Sequence, residues 1–428
     1  MAGPARGGQG NQLRMAVESA LGTPGAYSCT RPEKIPTFKF SHLLVPNHVS
    51  GHQNPLTLEK PIAIIRCQEN AFTADFRIRR STVNGGTPDL VKILKSSGWN
   101  AAVSTGATTV TGSPTVSSIT QTSNVTGAGQ FVLVEREDGV HVPVFVSSLA
   151  GAVITPHVRM SAASTSGHAI NPMHTLAPIT SQAYKVPDDV TLSFILNTQG
   201  FNGAYGSFAQ HIEACALASV GDIVITGSNP FPIFPCTFHG VPISLTADAI
   251  AADSFNDSAK FGVVTPDLEF SLQAASDSGN IVLVSKAVID VTINLAITVK
   301  PLYNEGGGNI GGITGYMLIQ GNPTMKVHCQ FNGDTAFEMG ILTGASGANT
   351  SMCAQLIQPT RDLDHPAWGF MMQNAHIMPG GEPTVNPGSE IIDCTFTLTG
   401  SSGGINSHDE IDEIGTSPIY FGISGEAA

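Results

Sequence analysis

Three glycines, Gly306, Gly308 and Gly311, stand at the spacing of a dinucleotide-binding loop, and Gly400, Ser402 and Gly404 at that of a nucleophile elbow. The first chemistry needs a strand before the glycines and a helix after them, so that backbone N–H groups and the helix dipole meet a pyrophosphate. Here Gly312, Gly315 and an extended run follow instead. The second needs a tight strand-to-helix turn, and Ile405 to Glu410 carry no helical pattern. Both segments therefore read as glycine-rich loops. The 13 His residues show neither HExxH nor HxH spacing, and His328 beside Cys329 places the two side chains on opposite faces of a strand. Asp409, Glu410, Asp412 and Glu413 offer oxygens to a hard cation but lack the spaced ligands and turn glycine of a calcium loop, which leaves a solvated acidic loop. Arg66, Arg77, Arg79 and Arg80 have the chemistry to touch phosphate. Arg77 and Arg79, however, share a strand face with Asp75, a pattern that favours an ionic contact across an interface between chains. No residue is assigned a catalytic, cofactor-binding or metal-binding role, and no cofactor is expected.

The elements that carry these residues belong to a chain of 428 residues. At about 150 residues per domain that length suggests two or three packed units. Apolar residues make up 41%, enough to build cores, whereas charged residues make up 12%, about half the roughly 25% of an average soluble protein. Interface cores are where charge is depleted, so much of the outer face is expected to be covered by neighbours in an obligate assembly. The net charge of -13 argues against a protein that grips nucleic acid through its phosphates, because such proteins present basic stripes. Cys29, Cys67, Cys215, Cys236, Cys329, Cys353 and Cys394 occur singly, with no CxxC pair. They read as buried small hydrophobes in a reducing compartment. The N-terminus MAGPARGGQGNQLRMAV lacks a signal-peptide apolar core, and no long apolar run follows, so neither secretion nor membrane insertion is expected.

Residues 1–56 are rich in Gly, Pro and polar residues, with one extended stretch at Pro36–Phe40, and suit an N-terminal arm that reaches over a neighbour. From Ala71 to Arg79, Phe72, Ala74, Phe76 and Ile78 alternate with polar residues and predict a strand. A short helix follows, with Thr87 as N-cap, Pro88 at its first position, Leu90, Ile93 and Leu94 as its apolar stripe and Gly98 closing it. Ala101–Gln130 reads as a β-prone spacer or a pair of short strands. Phe131–Leu149 reads as a hairpin with a type I′ turn at Asp138-Gly139. Asp189–Leu196 reads as extended, Ser207–Ala218 as a second helix and Asp222–Thr226 as a strand. Val288–Lys300 alternates without interruption and predicts a single strand of about 40 Å. Gly315–Gln320, Thr324–Phe331 and Ile391–Thr399 complete a β-rich second half. The fold class is therefore all-β with a few short helices: two β-sandwich or barrel modules, 57–245 with an inserted β segment at about 101–165, and 246–428.

The run AVESALGTPG at 16–25, the strand from Ala71 closing into the helix at Pro88–Ser97, and the Thr/Ser/Val spacer before FVLVE together resemble the tail tube proteins of long-tailed bacteriophages. The second half is similar in architecture, with Pro323–Phe331, a loop to Gln358, a Pro-rich segment and the closing strand Ile391–Thr399. The resemblance implies a non-enzymatic virion protein, assembled in the host bacterial cytoplasm, whose inner sheet joins neighbouring copies into rings. Three chains would make a pseudo-hexameric ring if each carries two tube modules, and six if each carries one with an insertion. The rings stack into a tube, tape measure and tail terminator or tip proteins are the implied partners, and DNA passes through during ejection without specific binding. Two other readings share the composition: another phage particle component (capsid, decoration or tail-tip protein), and a β-rich surface-polymer-binding module or hydrolase.

Overall fold

The structure, a computed structural model, describes residues 11–34, 36–38, 67–79, 86–103, 106–124, 126–178, 184–198, 208–226, 232–246, 268–274, 288–303, 312–330, 352–363, 365–382, 384–386, 392–400 and 417–424. Within them the alternation of apolar and polar residues is realised almost entirely as strands. β1 (Asn11–Ala20), β2 (Thr23–Pro24) and β3 (Ser28–Thr30) fold back on one another, β4 (Gln68–Arg77) follows, and α1 (Asp89–Lys95) leads into β5 (Asn100–Val103). β6 (Thr108–Thr115), β7 (Ser118–Gln121), β8 (Phe131–Glu135), β9 (His141–Ala150) and β10 (Val153–Pro156) form an excursion closed by β11 (Ala169–Ala177). Then come β12 (Tyr184–Val186), β13 (Leu192–Thr198), β14 (Phe208–Val220), β15 (Ile223–Thr226) and β16 (Ile233–Thr246). The remainder is β17 (Glu269–Ala274), β18 (Val288–Asn294), β19 (Ile297–Tyr303), β20 (Ile313–Gln320), β21 (Thr324–Gln330), β22 (Met352–Gln358), β23 (Trp368–Ile377), β24 (Thr384–Asn386), β25 (Asp393–Gly400) and β26 (Tyr420–Ser424). The fold is all-β with one α-helix among the described residues.

One sheet has the order β2-β1-β13-β14-β16-β4, and a second runs β15-β18-β21-β25-β23-β26-β11 before it continues into the excursion; β12-β20-β19 form a third. All three sheets and α1 share one core. In β4, Phe72, Ala74 and Phe76 point into it while Thr73 and Arg77 point away, as a period of two requires. Phe72 stacks on Phe238 with ring centroids 4.7 Å apart, and Phe234 spans to the opposite sheet, 5.4 Å from Phe421. Each such buried ring contributes about 1.5–3 kcal/mol through surface removed from water. Pairing crosses residue 245, since β15 joins β18 and β11 joins β26.

Several elements differ from the sequence reading. Of residues 1–56, 11–30 carry β1 to β3, and β1 lies inside a sheet, with β13 on one side and β2 and β3 on the other. Phe38, in the stretch expected to be extended, packs on Phe72 at 4.7 Å. The helix expected over Ser207–Ala218 does not form within the described residues: from Phe208 the segment is β14, the strand between β13 and β16. Its alanines favour a helix locally, but burial on both faces removes the alternation that marks a strand, and tertiary pairing overrides propensity. Val288–Lys300 is not one strand. Ala296 adopts φ 54, Asn294 Oδ1 accepts its N–H at 2.8 Å, and the chain turns there from β18 in one sheet to β19 in another. The alternation runs through the corner because both halves bury apolar side chains at alternate positions, Val291 and Ile293 before it and Ile297 and Val299 after it. The hairpin β8–β9 forms as expected, but only Gly139 has positive φ, and its N–H donates to Arg136 O at 3.0 Å. That is a type I turn with a glycine bulge, not type I′. The helix forms one residue late, with Pro88 in the N-cap position and Gly98 (φ 94) beyond its end.

The excursion β6 to β10 has a core of its own, built from Val110, Ile119, Val144, Val146 and Ile154. It docks on the second sheet through Phe131, whose ring lies against Gly369 and Gly422, where any larger residue would collide with it.

Candidate functional site

β15, β18, β21 and β25 bury Ile225, Val291, Val327 and Phe396 and turn the alternate residues outward. That outer face carries Thr226, Thr292, Lys326, Thr395 and Thr397, and among these four strands there is no Arg. At one end of the face three ionisable groups meet. Asp290 is the register partner of His328, and Asp393 lies diagonally from it on the other side, opposite Gln330. His328 Nδ1 is 2.8 Å from Asp290 Oδ2, and Nε2 is 3.4 Å from Asp393 Oδ2. Partial burial lowers the pKa of the imidazolium, and the bonds and charges of the two carboxylates more than offset this, so it stands above its ordinary value. The two nitrogens address carboxylates on opposite sides of the ring, which leaves no common point for a metal ion. Among the described residues no group of three or more His, Cys, Asp or Glu is placed to hold one.

Cys329, next to His328, is fully buried on the inner face, as the strand period requires. Asp290 and Asp393 were missed by sequence reasoning, because the pairing that unites residues 38 positions apart, as His328 and Asp290 are, is set by sheet register. Arg77 and Arg79 do not await another chain: Glu33 of their own chain lies 2.8 Å from Arg77 Nε and 3.6 Å from Arg79 Nη2. The reason is that the chain after β3 crosses β4, with Glu33 N–H on Asp75 O at 2.8 Å. Arg66, Arg80, Gly306, Gly308, Gly311, Ser402, Gly404 and the acidic run Asp409–Glu413 lie outside the described residues.

Two further constellations have chemical potential. Cys353 Sγ lies 3.0 Å from His157 Nε2, the pairing of a thiol nucleophile with a base. Burial works against that use, pushing the thiol up to about 12 and the imidazole down to about 4, so both stay neutral. The thiol also donates to Gln373 O at 3.3 Å. A cleft of about 420 Å³ opens where the excursion overhangs β17 and β22, walled by Val144, Val158 and Met160 and floored by Glu269 and Gln355. Arg136 holds the floor carboxylate, bonding Glu269 at 3.1 Å, and also bonds Asp138 at 2.8 Å. No His, Cys or Lys lines this cleft; its one hydroxyl–carboxylate pair is Ser161 with Glu269 at 3.1 Å, and that carboxylate is also engaged by Arg136. Neither a protein-family model nor a curated protein matches the chain.

Proposed function

We propose that the protein is a structural virion component, a tail tube subunit whose copies join into rings and stack into a channel for DNA. It acts without catalysis, in the phage tail, after assembly in the host bacterial cytoplasm, and tape measure and terminator or tip proteins are its partners. The observation that carries this reading is the outer face of β15-β18-β21-β25, rich in threonine and free of arginine, with Asp290 and Asp393 alongside its one lysine, Lys326. With Lys326 as its one lysine or arginine, such a surface gives passing phosphates few counterion-releasing contacts, so DNA slides without sticking. The low charge content of 12% fits an outer surface largely covered by neighbouring copies. Sedimentation velocity over a wide concentration range tests the reading: mass-action growth into discrete rings supports it, and a monomer at every concentration defeats it.

A further inference from the structure

We propose that His328 is a proton-operated clasp over the ends of β18, β21 and β25, closed when the imidazole is protonated and open when it is neutral. This stands independently of the assembly reading. Both ring nitrogens face carboxylate oxygens, Nδ1 toward Asp290 and Nε2 toward Asp393, and only the imidazolium has an N–H on each nitrogen. Neutral imidazole satisfies one carboxylate and turns a lone pair toward the other. Loss of the proton therefore breaks one bond, converts it to a repulsive contact, and leaves two negative charges flanking β21 without a cation between them.

The surroundings add little competing charge. Across from Asp290 on the far side is Thr226 of β15, across from His328 is Thr395 of β25, and beyond Asp393 is Asn386 of β24. Lys326 is the other charged group on this face of β21, two residues along the strand. With these groups the face is neutral while the clasp is closed and carries one net negative charge when it is open. The location matters mechanically, because the sheet ends here. β24, three exposed residues, is held only to β25 at this corner among the described residues, and Ile289 and Ile392, both exposed, flank the ladder. Short edge segments of this kind open at low free energy.

The sign follows from linkage. A group whose folded pKa is raised adds stability that is fully present below its unfolded pKa of about 6.5 and is lost as pH rises through the folded value. The test uses the full chain. Histidine C2–H exchange read by mass spectrometry gives the His328 midpoint, expected above about 6.5 and lower in D393N and D290N. Backbone hydrogen exchange of Lys326–Gln330 and Asp393–Thr395, corrected for intrinsic rates, is expected to accelerate severalfold from about pH 6 to about pH 8.5. It should be nearly pH-independent in H328K, which keeps a cation throughout. A His328 midpoint at or below the ordinary value, or one unmoved by D393N, overturns the proposal. So does exchange that accelerates equally in the wild type and H328K.

Discussion

Glu18 Oε1 accepts the backbone N–H of Ala214 at 2.7 Å, joining β1 to the most irregular point of β14. Ala214 adopts φ 50 where the β14–β16 register slips, so its peptide groups drop out of the ladder and need other partners. The Tyr316 hydroxyl donates to its carbonyl, and Ser96 Oγ accepts the N–H of Leu217 at 3.1 Å. Glu18 is itself 1% exposed and is further satisfied by Thr191 Oγ1 at 2.6 Å, Gly22 N–H at 2.7 Å and the Ser193 hydroxyl. One carboxylate thus holds the N-terminal strand, the bulge and β13 together.

Replacing it should be costly. Glu18→Ala strands several buried donors, and chemical denaturation is expected to show a loss of about 3 kcal/mol or more, against about 1 kcal/mol for Tyr316→Phe. Equal, small losses for the two variants would mean that the bulge is not organised by this carboxylate.

The docking of the excursion depends on space as well as adhesion. A Cβ on Gly422 would sit 2.5 Å from Phe131 Cγ, so Gly422→Ala should cost about 1–3 kcal/mol by overpacking. In a double-mutant cycle, Phe131→Leu is expected to return part of that loss. Additive effects would place the two residues out of contact.

A polar strap secures the same junction. Glu269 on β17 takes Arg136 Nη1 at 3.1 Å and Ser161 Oγ at 3.1 Å, and little of the Arg136 side chain reaches solvent. Glu269→Ala, which removes one of the two carboxylates on this guanidinium and leaves Asp138, should destabilise by about 1–2 kcal/mol. Limited proteolysis should then cut first within residues 106–168. Unchanged cleavage would show that the apolar contacts suffice.

Burial governs the thiols. Cys29 is half-buried and the other six cysteines are buried, and burial raises Cys67 to about 11 and Cys353 to about 12. Native protein at neutral pH is therefore expected to release a single fast thiol equivalent to a disulfide reagent, lost in Cys29→Ser, with the rest appearing on denaturation. Rapid alkylation of Cys353 would instead mark the His157 pair as an activated nucleophile.

What could be read in advance follows physical lines. β4 and the β8–β9 hairpin announce themselves because each has a pattern that depends on its own residues: alternation in one, a glycine turn in the other. β14 does not, because a strand buried on both sides loses its period. Nor does the corner at Ala296, where two strands in different sheets share one unbroken alternation. The clasp residues were the least accessible. Asp290 and Asp393 look like any outward carboxylates until the register of three strands brings them to the two nitrogens of His328.

The central claim is that copies of this chain close around a channel. Electron microscopy of the purified full-length protein at high concentration tests it most directly. The account predicts rings with an open centre that stack along one axis into tubes. Discrete single particles without a channel at every concentration would contradict it.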